Sequence, residues 1–99
     1  MRQGTTPKHT FTIPFDTSNV EKVRVYYAQK DVLKLTKTEA DVEMDGNTIS
    51  LRLTQEDTFA LEGNKMTLIQ LRVVTKDGES FVSDIVTVVT EQCLSDEVV

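Results

Sequence analysis

The stretch L53-T54-Q55-E56-D57-T58-F59-A60-L61 interrupts a chain that otherwise alternates apolar and polar residues. Thr54 is placed to cap a short helix by accepting from the backbone N–H three residues on, and Asp57 to reach back to the cap. Glu56 and Asp57 lie where carboxylates favour the positive end of the helix dipole. Phe59 and Leu61 return to the apolar phase, and Gly63-Asn64 closes the turn. A single helical turn, near residues 55–60, is therefore predicted between two strands. Its role is that of a corner. A chain crossing the open end of a two-layer β-structure must satisfy its backbone groups, and a capped turn does so.

The flanks fit that frame. In H9-T10-F11-T12-I13-P14-F15 the residues Phe11, Ile13 and Phe15 share one face, the period of a half-buried strand. Pro14 has no N–H for a ladder, so this strand belongs at an edge or ends there. V20-E21-K22-V23-R24-V25-Y26-Y27-A28-Q29 sets Val23, Val25 and Tyr27 against Lys22, Arg24 and Tyr26. Lys30-Asp31 links it tightly to V32-L33-K34-L35-T36-K37, where Leu33 and Leu35 are expected to face in. Asp45-Gly46-Asn47 and Asp77-Gly78 sit between apolar runs and signal two hairpins. The runs 66–74 and 81–89 are apolar on both faces and are expected to pair centrally. Seven short strands with regular turn signals predict an all-β, antiparallel, two-sheet, immunoglobulin-like β-sandwich. Residues 1–8 read as a flexible arm, 9–92 as the sandwich, and 93–99 as a polar tail.

Ninety-nine residues make one modest core, and 38% hydrophobic with 27% charged residues fit a folded chain. The net charge of −5 opposes phosphate backbones, so nucleic acid is not an expected partner. One cysteine, Cys93, permits no internal disulfide. The start has no apolar signal region, and no apolar run is long enough to span a bilayer, so no membrane partner is expected. Synthesis and folding in a reducing cytoplasm is the expected localisation.

Catalytic and metal chemistry lack a constellation. His9 is the only histidine, placed at the start of the first strand and far along the chain from Cys93. A nucleophile needs its base within about 2.6–3.2 Å, so no catalytic site is expected there. Glu39, Asp41, Glu43 and Asp45 alternate onto one strand face and project in parallel, which does not converge on a cation. Asp84, if inward, calls for Arg72 or Arg24 as an ion-pair partner. No phosphate-binding glycine loop, CxxC or HExxH is present, and no cofactor or metal is expected. The neighbours Tyr26 and Tyr27 face opposite ways in a strand, one of them a possible contact residue.

L53-x-x-E56-D57-T58 resembles the corner between the fifth and sixth strands of immunoglobulin variable domains. The paired cysteines, the tryptophan and the corner tyrosine of those domains are absent, so the likeness is one of geometry. A broader likeness runs through "TPKHTFTIPFDTSNVEKVRVYYAQ", "GNTISLRLTQEDTFALEGNKMTLIQLRVV" and "KDGESFVSDIVTVVTEQCL". These resemble small prophage-borne proteins of Gram-positive bacteria, and the layout is similar to the amino-terminal domain of the phage baseplate upper protein family. That resemblance implies an immunoglobulin-like sandwich that builds tail structure through protein contacts, without catalytic residues. Its expected partners are other phage structural proteins, in a homo-oligomer or multi-copy assembly. Contact candidates are Arg24, Tyr26 and the strand residues Phe11, Ile13 and Phe15. The alternative is a carbohydrate- or ligand-binding sandwich, disfavoured by the absence of tryptophan and by aromatics at only 6% of the chain.

Overall fold

Eight strands form in the computed structural model, which describes residues 1–99: β1 (Lys8–Thr12), β2 (Val20–Gln29), β3 (Val32–Thr38), β4 (Glu43–Asp45), β5 (Thr48–Arg52), β6 (Lys65–Thr75), β7 (Ser80–Val82) and β8 (Val86–Thr90). The smaller sheet has the order β1-β5-β4. The larger runs β3-β2-β6, with β7 and β8 sharing the far edge of β6. Every ladder between strands is antiparallel. In the lettering of immunoglobulin-like sandwiches these are B-E-D and C′-C-F-G, so the layout is immunoglobulin-like. No helix is long and apolar enough to cross a membrane.

Period-two alternation decides what lies between the layers. Val23, Val25 and Tyr27 of β2 and Ile69, Leu71 and Val73 of β6 meet Ile49 and Leu51 of β5 in one buried cluster. Val20 at the start of β2 and Ile13, Leu53 and Leu61 from the connections complete it. The tight turns follow the residues that tolerate positive φ. Lys30 and Asp31 both adopt it (φ 49° and 62°), as a two-residue type I′ link requires, and Gly46 does so at 58°.

The corner is built as its residues dictate. Helix α1 (Gln55–Phe59) joins β5 of one sheet to β6 of the other. The Asp57 N–H donates to Thr54 Oγ1 at 3.1 Å, and the Thr54 N–H donates to Asp57 Oδ2 at 2.9 Å. Leu61 is fully buried beyond it.

Several expectations are corrected. The run 81–89 is two strands, not one, and lies at the sheet edge rather than its centre. The ladder breaks at Ser83, whose N–H donates to the Leu71 carbonyl and whose hydroxyl accepts from the Leu71 N–H, both at 2.9 Å. A side-chain oxygen there does the work of a strand carbonyl. Asp84 stands exposed beside this break and takes part in none of the four ion pairs.

Leu33 faces outward, because Tyr27 pairs with Leu35 but Ala28 pairs with Leu33, leaving Lys34 as the extra residue of a bulge. The acid series is not one strand face. Glu39 and Asp41 belong to a 3-10 turn capped by Thr38, and only Glu43 and Asp45 lie on β4. The expected loose arm is docked: Gln3 donates to the Leu61 carbonyl (2.7 Å) and accepts from the Cys93 N–H (3.2 Å), and the Gly4 N–H donates to Thr58 Oγ1 (2.9 Å).

Candidate functional site

The outward phase of β2 and β6 builds one broad strand face on the larger sheet. The register sets Lys22 beside Val74, Arg24 beside Arg72, Tyr26 beside Gln70 and Ala28 beside Leu68. Lys22, Arg24, Tyr26, Arg72 and Val74 line a shallow depression of about 260 Å³. The opposite end of the same face is apolar. Leu33 flanks Ala28 on one side, and Met66 pairs with Val89 on the other, with exposures of 54%, 55% and 48% respectively. The face thus grades from cationic to apolar across neighbouring strands.

Its charges are partly compensated. Arg24 Nη1 donates to Glu39 Oε2 and to the carbonyl of Val23, each at 2.7 Å. The Glu39 carboxyl is held below its usual value by its own backbone N–H first and by the guanidinium after it. Arg72 and Lys22 make no ion pair.

The expected contact residues divide between this face and the interior. Arg24 and Tyr26 stand together on it, half-buried. Ile13 is 1% exposed and belongs to the core, which corrects its placement as a surface contact. Phe11 and Phe15 pack against the core, and the Phe15 ring meets Phe81 edge-on with centroids 6.0 Å apart. The same alternation that makes 11–15 strand-like points its apolar phase inward. Lys22, Arg72 and Val74 complete the face and were not among the expected contacts. Lys22 shares the β2 phase of Arg24 and Tyr26, whereas only the β2–β6 register reveals Arg72 and Val74.

His9 is not on a mobile segment. It lies within β1, with Nδ1 2.7 Å from the Tyr27 hydroxyl. Burial first, then the Met1 ammonium, push its pKa down. Burial, followed by the charge of Asp57, drives the Tyr27 phenol well above its ordinary value. The hydrogen bond between the phenol and the imidazole stitches the two sheets together. A second apolar depression, about 250 Å³, opens beside it between the β1 and β8 edges and includes Phe11, Ile69, Val86 and Val88.

A third, polar hollow of about 310 Å³ lies on the smaller sheet, with Lys8 and Arg52 facing Asp41 and Glu43. No three His, Cys, Asp or Glu side chains come together as a set of metal ligands. Cys93 is a free thiol, half-buried beside Gly4.

No protein-family model matches this chain, and no curated protein matches it.

Proposed function

We propose that the chain is a non-catalytic structural module of a phage or prophage particle, of tail or baseplate type, working in several copies through protein contacts. The observation that carries the contact reading is the outer face of the larger sheet. Leu33, Met66 and Val89 are about half exposed there, beside the cationic depression around Tyr26. Apolar residues gathered on one face, next to polar ones, mark protein contact surfaces more often than isolated exposed side chains do. The particle itself is supplied by the resemblance to the amino-terminal domain of baseplate upper proteins. The engagement of the only imidazole by Tyr27 supports a structural rather than a catalytic use of His9.

Particles released from the encoding strain by prophage induction, purified on a density gradient and quantified by mass spectrometry, test the reading. The chain is expected in fixed stoichiometry to the tail proteins. Its absence from intact particles, or specific binding of the isolated chain on a glycan array, would overturn the proposal.

A further inference from the structure

Arg24 and Arg72 stand directly opposite each other on adjacent strands, and like charges so placed destabilise a sheet. Glu39 compensates Arg24 from its far side. Nothing compensates Arg72 or Lys22, since neither enters any of the four ion pairs. A chain of net charge −5 thus keeps an uncompensated cationic face where folding gains nothing from it.

The complementary charge lies on the other sheet. Glu43 and Asp45 are exposed on β4, and β4 is an edge strand whose outer side has no partner. Neither acid makes an ion pair, although Glu43 shares the polar hollow with Lys8 and Arg52, and Asp45 lies outside it. Both point to the outer face of the smaller sheet, opposite to Met44, which pairs with the buried Ile49.

We infer that the Lys22–Arg24–Arg72 face receives the β4 edge of a second copy, with Glu43 and Asp45 meeting the free cations. The inference rests on reading the chain as a multi-copy contact protein. The two surfaces differ, so the contact is heterologous and propagates head to tail into a ring or an open chain. Exposed charges carry it, so salt screens it.

Sedimentation velocity of the full chain at low and high ionic strength is the test. Self-association is expected at low salt, weakening about tenfold or more at high salt. Arg72→Glu and Glu43→Lys, both on exposed positions and checked for native circular dichroism and melting, are each expected to abolish it. Mixing the two variants is expected to restore it, because the reversed face of one then meets the reversed edge of the other. A parent chain that stays monomeric at low salt, an Arg72→Glu variant that associates like the parent, or a mixture that stays monomeric would each overturn the inference. A chain found in particles yet monomeric in the centrifuge removes this contact and leaves the structural role standing.

Discussion

The Tyr27 hydroxyl and the Nδ1 of His9 lie 2.7 Å apart and join the central β2 of the larger sheet to the edge strand β1 of the smaller. Tyr27 is fully buried, so its hydroxyl has this ring as its only hydrogen-bond partner. One bond thereby settles two polar groups that burial would otherwise leave unpaired. Replacing Tyr27 by Phe is expected to lower unfolding free energy by about 1–2 kcal/mol, measured by urea titration at neutral pH. An unchanged midpoint would mean that water replaces the phenol.

The same pair sets a pH dependence. The His9 pKa is lowered in the folded chain from its ordinary 6.5, so below that pH the unfolded state binds a proton that the folded state does not. Stability is fully present above about pH 6.5, falls as the pH drops below it, and levels off once the folded imidazole is protonated too. The urea midpoint should step down across this window in the parent and lose that step in His9→Gln. A midpoint flat from neutral pH to below the ordinary histidine range would contradict the assignment.

The corner carries a coupled pair. Asp57 accepts from the Thr54 N–H at 2.9 Å and from Lys37 Nζ at 2.9 Å, tying α1 to β3. Burial alone would raise its pKa, but these bonds outweigh that and hold the carboxyl below its usual value. Thr54→Ala is expected to cost about 1 kcal/mol. Because both residues serve one capping box, the Thr54→Ala, Asp57→Ala double variant should lose less than the two single losses combined, by about 0.5 kcal/mol or more. Strict additivity in the double-mutant cycle would show that the box does not act as a unit.

Two glycines are predicted to fail for different reasons. A Cβ on Gly63 would lie 2.8 Å from the Gln92 Cα, against backbone that has little room to give. A Cβ on Gly78 meets nothing within 4 Å, but its φ of +88° strains any L side chain. Gly63→Ala should therefore destabilise by about 1–3 kcal/mol through displacement of the segment after β8. Gly78→Ala should cost about 1–2 kcal/mol through the backbone alone. Hydrogen exchange separates them: faster exchange around Cys93 is expected only for Gly63→Ala.

Docking of the first residues is open to a chemical probe. Gln3 bridges the Leu61 carbonyl and the Cys93 N–H. Gln3→Ala is expected to raise the rate at which Cys93 reacts with an aromatic disulfide reagent. An unchanged rate would place the hold on that segment elsewhere, on Arg2 and Glu91.

The sandwich was legible because its signals are local. Alternation in Val23, Val25 and Tyr27, the capping box at Thr54 and Asp57, and the Gly46 turn each act within a few residues. What escaped is long-range pairing. Ser83 breaks its strand by bonding to Leu71, and the Lys34 bulge turns Leu33 outward, neither of which has a signature in alternation. Gln29 could have been found from its phase with Val25 and Tyr27. It is 1% exposed, donating to the Glu62 carbonyl and to Thr67 Oγ1 at 3.0 Å each. The contact face was half visible. Lys22, Arg24 and Tyr26 share a phase along one strand, whereas Arg72 and Val74 join them only once β2 is registered on β6.

Hydroxyl-radical footprinting of Tyr26 and Met66 in the isolated chain and in purified particles reads the outer face of the larger sheet directly. Both side chains should be oxidised in the isolated chain and protected in the particle. Equal oxidation in the two samples would show that the face stays in solvent and that assembly uses another surface.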